Sequence, residues 1–397
     1  MSYPLTITGP AMREINRSAI LEIIRRESPI SRTAISAKLD ISVATVMRIV
    51  DELMEAGLVR PQGSSEWSGG RRRSLLEFNS DGYVVLGIDM GGPSMYGAIA
   101  DLGGTILQEA NLGMQGASGE KGYGQLVSMI ETLLASPKLQ DRHVRGIGIG
   151  IPGVTLHKEG LVKWAYAYKW KDLPLKARLS ERFNLPITVD NDVNLAALGE
   201  MWFGVGQNIQ DLVLITVDIG IGAGIIIDGA LYRGATEASG EIGNMIPNAD
   251  FLGRDFQSFG ALEAVASGTA IVERARQVLK GKKSKTELDR LVADDVFDAY
   301  RRKEPWASTI IKEMIDYLAV AIANIAISFD PEMIILGSGF SNSADLLVDP
   351  ILDRIKNCIP NPPKLVVSKL GRRATVMGAI TNVLHNTSNF YVVHKLS

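Results

Sequence analysis

The chain is 397 residues long, enough for two or three domains that each bury a core. Its 42 Lys and Arg against 44 Asp and Glu leave a formal charge of −2, so any nucleic-acid binding must come from a local patch and not from a global cationic field. The single cysteine, Cys358, excludes an internal disulfide and a thiolate zinc cluster; with no apolar run of membrane length and no leader pattern, a soluble, cytoplasmic globular protein is expected.

Residues 16–26 set Ile20, Ile23 and Ile24 among charges, which predicts a helix. Ser31 is a good N-cap for a second helix over 32–39. After the tight turn Asp40-Ile41, Ser42 caps a third helix that ends near Gly57. In this third helix Val43, Val46, Val50 and Leu53 share an inward face, leaving Ala44, Thr45 and Arg48 on the opposite face near its start. Two helices joined by a short turn, with small and polar residues opening the second, meet the needs of major-groove reading.

Residues 58–78 then alternate turn and strand character. Leu58-Val59-Arg60 and Ser74-Leu75-Leu76-Glu77-Phe78 read as the arms of a hairpin whose tip is Gly69-Gly70-Arg71-Arg72-Arg73. A compact cationic cluster on glycine backbone can reach phosphates or a narrow minor groove. The expectation is a winged helix-turn-helix over 1–80 that binds DNA through Ser42, Ala44, Thr45, Arg48, Arg71, Arg72 and Arg73. The alternative is a protein-binding helix hairpin beside a solvated loop.

From Tyr83 the chain turns glycine-rich and β-branched. Val84-Val85-Leu86-Gly87-Ile88-Asp89-Met90-Gly91-Gly92 is followed by a second strand over 96–101, Gly103-Gly104 and a third strand over 105–108. The same order of strand, Asp-x-Gly loop, strand, turn and strand returns from Leu212 through Asp218-Ile219-Gly220 to Tyr232. Facing glycine loops of this kind can cradle phosphates between backbone N–H groups. The pattern resembles the actin/hexokinase/Hsp70 superfamily, a duplicated ribonuclease H-like α/β fold with two lobes. The expected division is a first lobe over 81–190, joined by a returning segment over 376–397, and a second lobe over 191–375.

Between the two repeats, Pro186 precedes a short β-branched strand that breaks at Asp190-Asn191-Asp192 and continues as a helix. Polar side chains at the carboxyl end of a strand sit where open α/β sheets bind ligands. Asn191 donates and accepts hydrogen bonds and ionised Asp192 accepts, which suits a polyhydroxylated ligand; capping of the helix is the competing role.

Gly148-Ile149-Gly150-Ile151-Pro152-Gly153, Asn191-Asp192-Val193-Asn194, Gly240-Glu241-Ile242-Gly243, Leu262-Glu263 and Pro331-Glu332-Met333-Ile334-Ile335-Leu336-Gly337 occur in the order seen in the ROK family. The chain resembles that family from about residue 16 to 380. ROK proteins include sugar kinases and, with an N-terminal winged helix, sugar-responsive repressors of the xylose, N-acetylglucosamine and glucose types. The resemblance implies a sugar site of Gly153, Asn191, Asp192, Glu241, Asn244 and Glu263, with Asp192 where a kinase has its base.

The departures from the family point away from phosphotransfer. In the first phosphate loop, Asp89, Gly91 and Gly92 lead into Pro93-Ser94 where kinases resemble Thr followed by Lys or Asn; Pro93 has neither hydroxyl nor N–H. In the second loop, Asp218, Gly220 and Gly222, the pair Asp218-Ile219 stands where the kinases resemble Gly-Thr, and the added carboxylate weakens phosphate binding unless Mg²⁺ bridges it. Related ATPases carry an acidic residue in this loop, so a metal framed by Asp89 and Asp218 is the counter-reading. Asn244 replaces the family's zinc-binding His, and residues 251–261 contain no cysteine, so no structural zinc is expected. Phe251, Phe256 and Phe259, with Asp250 and Asp255, should pack that lobe instead.

Tyr166, Tyr168 and Trp170 offer faces to a sugar ring, with core packing the role of at least one. Residues 318–327 read as a buried helix, and Gly378-Ala379 as the start of a final one. No catalytic residue, cofactor or metal is expected. The partners expected are an inverted-repeat operator, a sugar effector and further copies of the chain as a homodimer or homotetramer, with no membrane. The competing reading is an active hexose or N-acylhexosamine kinase with a DNA-binding appendage, and a third is a constitutive DNA-binding protein with an empty cleft.

Overall fold

The computed structural model describes residues 9–64, 74–92, 94–114, 116–140, 142–256, 260–337, 343 and 345–387. Arg71, Arg72, Arg73, Pro93, Phe259, Ser338 and Gly339 therefore lie outside the described residues. In chain order the elements are α1 (Gly9–Glu27), β1 (Ile30–Ser31), α2 (Arg32–Leu39), α3 (Val43–Glu55), β2 (Val59–Ser64), β3 (Ser74–Phe78), β4 (Tyr83–Asp89), β5 (Ser94–Asp101), β6 (Ile106–Gly113) and α4 (Glu120–Leu134). Then come β7 (His143–Ile151), β8 (Val154–Leu156), β9 (Leu161–Ala165), β10 (Trp170–Leu173), α5 (Leu175–Ser180), β11 (Ile187–Asn191), α6 (Asp192–Phe203), β12 (Leu212–Val217), β13 (Ile221–Ile227) and β14 (Ala230–Leu231). The remainder is α7 (Glu263–Ala266), α8 (Gly268–Leu279), α9 (Lys285–Asp289), α10 (Ala293–Arg301), α11 (Pro305–Phe329), β15 (Met333–Leu336), α12 (Asp345–Ile355), β16 (Lys364–Val367) and α13 (Ala374–Thr387).

The first three helices and a three-stranded sheet, ordered β1-β3-β2, form a winged helix-turn-helix. Ser31 caps α2 through Ala34 N–H, and Ser42 caps α3 through Thr45 N–H. The turn between them is made by Asp40 in the left-handed region, φ 53°. One expectation fails here: Val43 is 42% exposed, and Ile49 joins Val46, Val50 and Leu53 in the core instead. The first turn of α3 stands clear of its domain, with Ser42, Val43 and Ala44 all exposed, so the inward stripe starts one turn later.

The body contains two five-stranded sheets, β11-β7-β4-β5-β6 and β14-β13-β12-β15-β16. In each, the first three strands form an antiparallel meander and the next two run parallel to its first strand. The duplication visible in the glycine loops thus extends to the whole sheet, giving the two-lobed α/β fold. Helices α6 and α13 pack between the sheets, α13 on β4 and β7, α6 on β12 and β13. They cross at glycines: a Cβ on Gly378 would stand 1.7 Å from the Leu195 carbonyl oxygen, and one on Gly199 would stand 2.1 Å from that of Ala374. Only glycine allows backbones this close.

Helix α13 starts at Ala374, a turn before the predicted start, which puts Gly378 at this crossing and not at the helix end. Helix α11 is buried along one face as far as Ala326, while Val320 at 42% and Ile327 at 61% are exposed, so the predicted buried stretch over 318–327 is buried on one side only. Leu102 of the body, Met377, Ile380, Val383 and Leu384 of α13, and Ile20, Ile24, Val50 and Leu53 of the winged helix share one apolar cluster. The DNA-reading module is therefore built onto the body through α13. Among the described residues no helix is long and apolar enough to cross a membrane.

Candidate functional site

Strands β4, β7 and β11 finish level with one another: Asp89 and Asp190 both register with Gly150, and Asn191 with Ile151. The segments that follow these strands border the crevice, the place where open α/β sheets bind ligands. Asn191 does cap α6, its Oδ1 accepting the Asn194 N–H at 2.9 Å, while its Nδ2 donates to the Gly153 carbonyl at 2.9 Å. Capping and facing the crevice are thus compatible roles. Asp192 Oδ1 accepts the Val193 N–H at 2.9 Å. Gly153 sits at φ 112° against the Trp164 carbonyl, a conformation and a contact that exclude a side chain.

A narrow cleft is lined by Gly153, Asn191, Gly222 and Glu241, together with Glu237 and Ser239. Asp192 lies beside it, close enough that its charge raises the Glu241 pKa. Asp192 and two further expected sugar residues do not line the cleft itself. Glu263 sits behind it, its carboxylate accepting the Ile221 and Gly260 N–H groups at 3.2 Å each. Asn244 is exposed, with Nδ2 at 3.4 Å from the Glu241 carbonyl. Of the aromatics, Tyr168 and Trp170 are buried and belong to the first-lobe core, a correction to their expected availability. Tyr168 donates its hydroxyl to the Met90 carbonyl and Trp170 its Nε1 to the Gly119 carbonyl, so both polar ends are spent holding loops. Tyr166, 75% exposed, is the one left in solvent.

The acids here share one electrostatic character. Burial, then the Asp192 charge, pushes Asp89 up to about 8; burial pushes Asp192 up to about 6 and Asp218 up to about 6. Glu241 rises to about 7 through burial and the charges of Asp192 and Glu263, and burial also raises Glu263. Asp89 and Asp192 flank one glycine: a Cβ on Gly91 would lie 2.9 Å from Asp89 Oδ1 and 3.0 Å from Asp192 Oδ2.

Each glycine loop has one backbone N–H group engaged by a carboxylate. The Gly91 N–H of the first loop already donates to Asp89 at 2.8 Å, and the Ile221 N–H of the second donates to Glu263. Donors aimed at carboxylates are not free for phosphate oxygens. Among the described residues, no group of three or more His, Cys, Asp or Glu is placed to hold a metal ion. Phe251 stacks on Phe256 at 5.9 Å and meets Tyr317 edge-on, the apolar packing expected for this lobe.

Three residues at the crevice escaped the sequence reading. Arg233 makes a two-pronged ion pair with fully buried Asp190, at 2.9 and 2.6 Å, tying the loop after β14 to the end of β11. Glu237, at φ 58°, accepts the backbone N–H of His157 at 2.7 Å and lies 2.8 Å from its Nδ1, a second tie between lobes. Arg372 donates to Ser94 at 2.7 Å, and its charge counters those of Asp89 and Asp218. The doublet Arg372-Arg373 ahead of the last helix was the one available signal.

On the DNA-reading side, Ser42, Ala44 and Arg48 are exposed at the start of α3, and Thr45 is half-buried with its hydroxyl 2.9 Å from Ser42 Oγ.

Comparison with known proteins places these features in context. A ROK family model matches residues 85–386, and a winged helix-turn-helix DNA-binding model matches residues 13–60. The chain is 32% identical to a xylose repressor of Caldicellulosiruptor bescii over 96% of its own length and 98% of that protein's. It is 33% identical to a glucokinase of Halalkalibacterium halodurans over 75% of this chain and 94% of the relative. Among solved structures, a ROK family transcriptional regulator described as a homolog of the E. coli MLC protein superposes with a TM-score of 0.82 at 27% identity, covering 95% of this chain and 97% of that one.

Proposed function

This chain belongs to the ROK family, and from that premise we propose that it is a sugar-responsive DNA-binding repressor of carbohydrate-utilisation genes. The observation that carries the reading is the shared core: the helix-turn-helix is packed onto α13, and α13 crosses α6, whose first turn holds Asn191 and Asp192. Gly153, Asn191, Asp192 and Glu241 hold the sugar, with Asn244 and Glu263 supporting that side of the cleft. Xylose is the first effector to try, because it is in the name of the relative matched over nearly the whole chain. Ser42, Ala44, Thr45 and Arg48 meet base edges, and Arg71, Arg72 and Arg73 meet the backbone or minor groove of an inverted-repeat operator bound by a dimer or tetramer.

A sugar changes DNA affinity only if it binds the DNA-competent and DNA-incompetent arrangements unequally. The cleft meets that condition in form, since residues of both lobes line it. Phosphotransfer is lost on this reading: Gly91 and Ile221 N–H groups turned to carboxylates, and the acid at Asp218, support that.

One observation favours a kinase instead. Asp192 sits at the base position with its pKa raised to about 6, suited to taking a hydroxyl proton. A thermal-shift screen of pentoses, hexoses and their phosphates, run beside an ATP-coupled assay, separates the two. Stabilisation by a free sugar without ATP turnover supports the repressor. Turnover that vanishes in Asp192→Asn would establish the enzyme.

A further inference from the structure

Helix α3 leaves two apolar side chains in solvent that its own domain does not use. Val43 is exposed and Met47 is 49% exposed, one turn apart on the outward ridge, while Val46, Ile49, Val50 and Leu53 fill the core behind them. Ala44 and Arg48 are exposed on the same side. Thr45, a residue expected to read bases, has its hydroxyl engaged with Ser42 in the helix cap. The first turn and a half of α3 therefore presents methyl and thioether groups to its surroundings, with one cation at the edge.

In the major groove most base-edge groups are hydrogen-bond donors or acceptors; the thymine C5 methyl is the apolar one, and it is matched by an apolar side chain. Charge favours the same partner. Among the described residues Arg48 has no ion-pair partner, whereas Arg32 on α2 is held by Asp51 at 3.1 Å and Arg13 on α1 by Glu52 at 2.6 Å. The cation beside the apolar ridge is thus the one left for an external anion or a guanine edge. Residues four apart on a helix rise by about 6 Å, close to two base-pair steps of about 3.4 Å each.

We propose that Val43 and Met47 read thymine methyl groups on base pairs two steps apart, so that the DNA bound by this chain carries thymines beneath the start of α3, next to a position contacted by Arg48. This rests on the DNA-binding reading above and adds what the DNA must contain.

The test uses the full chain. Duplexes are enriched from a random-sequence pool, and each thymine of the recovered half-site is replaced in turn by deoxyuridine, which lacks only the methyl. Binding is then measured by fluorescence anisotropy. One or two thymines should each weaken binding about fourfold when the methyl is removed, the factor that matches one buried methyl group. In Met47→Ala or Val43→Ala the penalty at one of these positions should disappear and the others persist. Both residues are solvent-exposed, so a thermal melt should leave these variants as stable as the parent. Equal binding of all deoxyuridine duplexes by the parent, or identical penalties in the parent and both variants, overturns the proposal. A chain that enriches no sequence overturns the DNA-binding reading itself, and this inference with it.

Discussion

At the scale of single residues, the crevice holds more acid than it can ionise comfortably. Asp89, Asp192, Asp218 and Glu241 all titrate above their ordinary range because burial penalises the charged form and because they face one another. A carboxylate whose folded pKa is raised contributes stability that is complete below its unfolded pKa and is lost as pH rises through the folded one. The sugar-free protein should therefore melt at progressively lower temperature from about pH 4 to about pH 8, the window set by these groups. Asp89→Asn, which keeps an oxygen for the Gly91 N–H, should flatten the upper part of that slope. A melting temperature that climbs with pH over the same window would contradict the assignment.

The same scale shows what the sequence could reveal. Asn191 and Asp192 were legible because strand, polar break and helix are contiguous, and Glu241 because its glycine-flanked motif is local. Arg233, Glu237 and Arg372 were not, since their partners lie 43, 80 and 278 positions away and nothing local marks them. Tyr168 and Trp170 were misread as ring-stacking candidates because burial depends on which loops return over them, and composition does not encode that.

At the scale of elements, the proposed function makes α6 the link between sugar and DNA. Its first turn opens the cleft, its middle touches α13 backbone to backbone, and Trp202 near its end lies 4.2 Å from the Arg25 guanidinium of α1. A movement at one end has little freedom to dissipate in such a contact, because packed interiors resist deformation. Gly378→Ala should separate the two helices and lower stability by roughly 1–3 kcal/mol in a denaturant titration. Arg25→Ala removes a cation–π contact between half-buried Arg25 and buried Trp202, worth about 0.5–2 kcal/mol, and should leave sugar and DNA binding intact while shrinking the effect of one on the other. An unchanged denaturation midpoint in the first variant, or full coupling in the second, would remove α6 from the path. Helical spacing after Asp192 located α6, whereas α13 was placed a turn late; the crossing was invisible because glycine in a helix reads as a weak spot until its neighbour is known.

At the scale of the whole molecule, a duplicated two-sheet body carries a winged helix-turn-helix on the helix that returns from the C-terminal end. The duplication was readable from two glycine loops, since the same turn chemistry recurs in each sheet. The shared core of body and DNA-reading module was not, because it assembles Ile20, Leu102 and Leu384 from three distant parts of the chain. On this plan the sugar acts by favouring one lobe arrangement, and α13 transmits the choice.

The most direct measurement is the affinity of the full chain for its enriched duplex, followed by anisotropy with and without xylose and a panel of related free sugars. At least one free sugar should weaken DNA binding tenfold or more, an effect of about 1.4 kcal/mol, and the effect should be absent in Asn191→Ala. DNA affinity that no sugar or sugar phosphate alters, in a chain whose cleft demonstrably binds one, would contradict it.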